Sequence, residues 1–138
     1  VGDGLADILW RNATTGDNVI WRSGSPTHQQ AVSPLALEWQ VAGIGDFDGD
    51  GRSDILWHKP STGGNAIWLS ADSGTPRAMA AIATTWTVGA VGDYDMDTRS
   101  DVLFRNTYTG ANVYWRAADA TGNVPLHSAS VPDWVPVH

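Results

Sequence analysis

A period of 47 residues runs through this chain and constrains its fold more than any other feature. Asp7-Ile8-Leu9-Trp10-Arg11-Asn12 recurs as Asp54-Ile55-Leu56-Trp57-His58-Lys59 and again as Asp101-Val102-Leu103-Phe104-Arg105-Asn106. Asn18-Val19-Ile20-Trp21 returns as Asn65-Ala66-Ile67-Trp68 and Asn112-Val113-Tyr114-Trp115. A third series, Trp39, Trp86 and Trp134, keeps the spacing to within one residue. A unit this short buries its apolar faces only by stacking on its neighbours.

Each repeat reads as four short strands joined by turns. In the central unit, strand A spans Trp39 to Asp46, B spans Asp54 to Lys59, C spans Asn65 to Ser70 and D spans Arg77 to Thr84. The B–C connections all carry Gly where a hairpin needs positive φ, at Gly16, Gly63 and Gly110. No segment holds a 3.6-residue period long enough for a helix. The fold class expected is therefore all-β, with four-stranded β-propeller blades favoured over a solenoid. The repeats fall at about 1–38, 39–85 and 86–133, with 134–138 a lone strand-A start, in the order BCD, ABCD, ABCD, A. Propellers have about 4–8 blades, so three repeats leave the ring open. The expectation is either head-to-tail oligomerisation, with each chain lending strand A to the next, or a segment of a longer propeller.

The charge is as patterned as the repeats. Of fifteen acids, ten (Asp3, Asp7, Asp46, Asp48, Asp50, Asp54, Asp93, Asp95, Asp97 and Asp101) sit in three short segments, within a net charge of −7. No basic stripe is present to neutralise phosphates, which argues against nucleic acid. No apolar run approaches the roughly 20 residues of a spanning helix. The central A–B connection reads Asp46-Phe47-Asp48-Gly49-Asp50-Gly51-Arg52-Ser53-Asp54, with carboxylates at positions 1, 3, 5 and 9 and the Arg52 carbonyl available at position 7. Oxygen-only donors on alternate residues of a curled loop suit Ca²⁺ and not zinc. An EF-hand requires Glu at position 12 between helices, and here that position is Trp57. The third repeat offers Asp93, Asp95, Asp97, Arg99 and Asp101, with Met96 and Thr98 in place of the two glycines, so a stiffer or slightly distorted loop is expected. The first repeat contributes Asp3 and Asp7 alone.

The segment Val41-Ala42-Gly43-Ile44-Gly45-Asp46-Phe47-Asp48-Gly49-Asp50-Gly51-Arg52-Ser53-Asp54-Ile55-Leu56-Trp57 resembles the FG-GAP/VCBS repeat family, known from integrin α-subunits, bacterial secreted proteins and some propeller lectins. The resemblance extends over essentially the whole chain. It implies a propeller of about seven blades, calcium at each intact A–B hairpin, and an extracellular or cell-surface setting. Asp46, Asp48, Asp50 and Asp54, and likewise Asp93, Asp95, Asp97 and Asp101, match the family's ligand positions.

Strand alternation sends the B–C loops and D–A connections to the end opposite the acidic hairpins. Trp39, Trp86 and Trp134 gather there with Arg11, Asn18, Arg105 and Asn112. Aromatic faces beside Arg and Asn equip a surface for sugar, which points to a multivalent carbohydrate-binding lectin without enzymatic activity. The alternative is a structural or adhesive module that binds protein within a larger secreted or surface protein. Recurrent Trp also fills the wedge between neighbouring blades, and the Trp39 series fits core and ligand roles equally.

Overall fold

The computed structural model describes residues 5–126; Asp3, Trp134 and the lone strand start at 134–138 lie outside them. Among the described residues, eleven strands form three consecutive antiparallel sheets. The first holds β1 (Ile8–Arg11), β2 (Asn18–Trp21) and β3 (Gln29–Val32). The second holds β4 (Gln40–Gly45), β5 (Asp54–Lys59), β6 (Gly64–Trp68) and β7 (Pro76–Met79). The third holds β8 (Trp86–Gly92), β9 (Asp101–Asn106), β10 (Asn112–Trp115) and β11 (Asn123–Leu126). Strands pair in sequence order throughout, so the repeats are three-, four- and four-stranded meanders and the chain is all-β, compatible with propeller blades.

The strand ends differ from expectation by more than one residue at two places. Strand C stops at Trp68 and not Ser70, because Leu69–Ala71 makes a 3₁₀ turn with Ser70 at φ 50°. Equivalent turns occur at Arg22–Gly24 and Arg116–Ala118. Strand D ends at Met79 and not Thr84. Beyond it, the Asn65 amide donates to the Ala80 carbonyl and Ile82 N–H donates to Gly63, so the chain folds back over the B–C loop instead of extending the ladder. That closeness requires glycine: a Cβ on Gly63, at φ 73°, would collide with the Ile82 carbonyl.

Two cores form between sheets. Ile20 and Val32 of the first sheet meet Ile55, Trp57 and Trp68 of the second. Leu56, Ile67 and Met79 on the other face of the second sheet meet Val102, Phe104, Val113 and Trp115 of the third, with Phe47 wedged among them. Period-2 alternation along β5 explains this: Ile55 and Trp57 point one way, Leu56 the other, and all three are buried. Burial of each such side chain contributes about 1.5–3 kcal/mol. Diagonal aromatic pairs repeat in register, Trp10 with Trp21 at 4.9 Å, Trp57 with Trp68 at 5.0 Å and Phe104 with Trp115 at 4.7 Å. Close approach of β4 to β8 uses glycine again, since a Cβ on Gly43 would strike Val91.

Candidate metal centre

The A–B connection of the second sheet curls around its first carboxylate. Asp46 accepts from the N–H groups of Gly49 at 2.7 Å, Asp50 at 3.1 Å and Gly51 at 2.8 Å. Asp48 accepts from Asp50 N–H at 3.1 Å, and Asp50 from Arg52 N–H at 2.8 Å. Such curling needs left-handed residues, and Gly49 and Gly51 sit at φ 80° and 81°. As a result, carboxylate oxygens of Asp46, Asp48 and Asp50 lie within 4.8 Å of one another. Oxygens across a Ca²⁺ ion with bonds of roughly 2.4 Å are about that far apart. Three exposed or half-exposed hard donors at that separation fit a divalent cation, whose charge would offset their mutual repulsion.

The third sheet repeats the loop with different residues. Asp93 accepts from Asp97 N–H at 3.1 Å and Thr98 N–H at 2.9 Å, and Asp97 accepts from Arg99 N–H at 2.8 Å. Met96 and Thr98 adopt φ 62° and 73°, so the loop keeps the left-handed conformation with two side chains placed in it. A left-handed non-glycine residue costs roughly 1–2 kcal/mol. Here the converging oxygens belong to Asp93, Asp95 and Asp101. Asp97 turns instead to the Arg99 guanidinium, Nη2 at 2.7 Å and Nε at 3.1 Å. The Arg99 backbone N–H and guanidinium hold the Asp97 carboxyl below the ordinary carboxylate range.

The ninth-position aspartates do something that spacing alone did not reveal. Asp54 and Asp101 are fully buried. Asp54 accepts from Phe47 N–H of its own loop and from Ser70 N–H of the following 3₁₀ turn, both at 2.8 Å. Asp101 does the same with Tyr94 and Ala117, and Asp7 accepts from Ser23. Asp54 and Asp101 thus tie the A–B hairpin to the C–D turn. Burial pushes the Asp54 carboxyl above the ordinary range, against the pull of the Ser70 and Phe47 N–H groups and with the push of the neighbouring Asp48 and Asp46 charges. The sequence signal for these turns is faint: small residues at Ser23, Ser70 and Ala117, each two positions after the recurring Trp. A second missed contact joins the two acidic loops, where Ser100 N–H donates to the Asp46 carbonyl at 2.6 Å and Ser100 Oγ accepts from Asp46 N–H at 3.0 Å.

At the opposite end, the expected ligand residues have internal partners. Arg11 donates to the carbonyls of Gly16, Leu35, Ala36 and Trp39 and to Asn18 Oδ1, and its guanidinium lies 5.0 Å from the Trp57 ring centroid. Asn18 in turn donates to Ser33. Arg105 donates to Gly110 and to Asn112 Oδ1. Between them in sequence, His58 Nδ1 donates to Asn65 Oδ1 at 2.7 Å, a direction set because Asn65 Nδ2 donates to Gly63 and Ala80. In the first two repeats these side chains are struts that carry the B–C loop against the chain leaving strand D. Trp39 and Trp86 are half-buried, each packed on one of the two cores. A cavity of about 250 Å³ opens beside Trp86, lined also by Gln40, His58, Pro60, Thr84 and Thr87.

Among known families, the FG-GAP-like repeat matches residues 2–57 and again 46–104. No curated protein and no solved structure matches the chain. Repeats of this kind are typically non-enzymatic interaction or adhesion modules of extracellular or surface proteins, and they often bind calcium. Two overlapping matches over most of the sequence, each spanning an acidic A–B hairpin, establish that this chain belongs to the FG-GAP-like repeat family.

Proposed function

We propose that this protein is a calcium-stabilised β-propeller segment serving as an adhesion or protein-binding module outside the cell. The observation that carries the reading is the convergence of three carboxylates at the same place in both complete A–B hairpins. Asp46, Asp48 and Asp50 with the Arg52 carbonyl would hold one ion, with Asp54 beneath; Asp93, Asp95, Asp97 and Asp101 with the Arg99 carbonyl would hold another. Calcium bound there supplies positive charge that draws the loop carboxylates together and stiffens the hairpin. Because it binds the folded loop, it stabilises the fold in step with the logarithm of its concentration, which suits millimolar extracellular calcium.

The outer faces support a further part of the reading, that another blade covers them. Ile8 is 42% and Trp10 48% exposed in the first sheet, whereas their counterparts Ile55 and Trp57 are buried. Tyr94 is 44% exposed where Phe47 is buried. A second copy of the chain, joined head to tail, or the rest of a longer propeller would bury them. Sedimentation in calcium tests the first source: a discrete multiple of 14.7 kDa that falls apart in chelator supports it, and a compact monomer contradicts it.

A multivalent lectin is the second reading, favoured by the cavity beside Trp86, where an indole stands with Gln40, His58 and Thr84. Glycan-array binding lost on Trp86→Ala supports it. Silence across the array, with calcium-dependent folding intact, leaves protein as the ligand class.

A further inference from the structure

We propose that the two acidic hairpins are unequal calcium sites, the third-sheet loop being the weaker because Arg99 and Arg116 already occupy the carboxylates that calcium must take. The inference rests on the calcium reading above. The two loops share a backbone, so their differences are those of side chains. Arg52 and Arg99 both stand at the seventh position and both give a backbone N–H to the fifth-position aspartate at 2.8 Å. Only Arg99 also turns its guanidinium onto that carboxylate. Arg116 adds a second pair, its Nε 3.1 Å from Asp95 Oδ2. The residue 47 positions earlier is Leu69, packed on the core between the second and third sheets.

The grouping of the oxygens follows. In the second-sheet loop the fifth-position Asp50 joins Asp46 and Asp48; in the third-sheet loop its counterpart Asp97 is drawn away, and Asp101 completes the group. Arg99 is also held in place. Its stem packs against Gly49 of the neighbouring loop, where a Cβ would stand 3.2 Å from Arg99 Cγ, and Ser100 beside it grips the Asp46 backbone. A side chain pre-positioned in this way loses less entropy on pairing. Calcium entering the third-sheet loop must therefore displace two guanidinium groups, whereas among the described residues no side-chain cation pairs with Asp46, Asp48 or Asp50. The second-sheet loop fills first, and the third-sheet loop, carrying its own counter-ions, keeps its shape without metal.

Calorimetric titration of the metal-stripped protein with Ca²⁺ tests this. Two affinity classes are expected, with Asp50→Asn removing the tighter. Arg99→Gln and Arg116→Leu should each strengthen the weaker site about two- to fivefold, the range of an exposed ion pair. Arg116→Lys, which keeps the charge, should leave the weaker site weak. Melting gives a second readout: in chelator the two charge-removing variants should melt lower than the parent, yet gain more on calcium addition. Equal affinities in the parent, or charge-removing variants that leave the weaker site unchanged while calcium still binds, would overturn the inference and spare the calcium reading. Absence of any calcium uptake would overturn both.

Discussion

The Asp46–Asp54 and Asp93–Asp101 hairpins reach one backbone from two different sequences. In the first, glycine occupies both left-handed positions, and Phe47 is buried between sheets. In the second, Met96 and Thr98 take those conformations, with Met96 88% exposed and Tyr94 lying 5.7 Å from Tyr114. What the loops hold in common is the buried ninth-position aspartate with its two backbone donors. The difference teaches that the clamp and the strand ends dictate the loop, and glycine only lowers its cost.

The sharpest way to break that comparison is at the clamp. Asp54→Asn and Asp101→Asn replace an accepting oxygen by an amide N–H that faces a backbone donor, leaving a buried donor unsatisfied. Each should cost about 1–3 kcal/mol in urea denaturation, and should do so in chelator as well as in calcium. If either substitution is silent in chelator, the clamp is not what shapes the loop. Next in size is calcium itself. At about a hundred times its dissociation constant, an ion that binds only the folded form adds roughly 2.7 kcal/mol, so chelation should lower the melting temperature by several degrees.

The glycine exchange sharpens the comparison further. Met96→Gly and Thr98→Gly should each change stability by at most about 1 kcal/mol, relief of left-handed strain being offset by the entropy of glycine in the unfolded chain. Gly51→Ala, in a position with nothing within 4 Å of the new Cβ, should destabilise by about 1 kcal/mol through φ alone. Smallest is the titration difference. In metal-free protein, carbon-13 NMR of the carboxyls should find Asp97 titrating below 3.8 and Asp54 above it. The signs for stability are opposite. Asp54, raised in the fold, loses protons with rising pH at a cost to the folded state, so its contribution falls as pH climbs from 3.8 through its folded value. Asp97, lowered in the fold, contributes above 3.8 and loses that contribution as pH falls through its folded value.

The 47-residue period made the strand order, the hairpin glycines and the acidic loops readable, because each depends on local chemistry that recurs in register. Gly16, Gly63 and Gly110 all carry the positive φ that the B–C turns demand. Directions of side chains were not readable in this way. Spacing counts Asp54 and Asp101 among the carboxylates of a loop, but nothing in it says that their oxygens turn inward to Ser70 and Ala117. Arg11 and Asn18 look like surface equipment in the sequence; the D–A connection that takes up the Arg11 donors comes from more than twenty residues away. Asn65 capturing the Ala80 carbonyl, which ends strand D early, is tertiary for the same reason.

The account depends most on the acidic hairpins taking up calcium. Calcium content after equilibrium dialysis, compared between the parent chain and the Asp48→Asn/Asp95→Asn double variant, measures this directly. A loss of two ions per chain in the double variant is the predicted result. Equal calcium in the two proteins, or none in the parent at millimolar calcium, would contradict it.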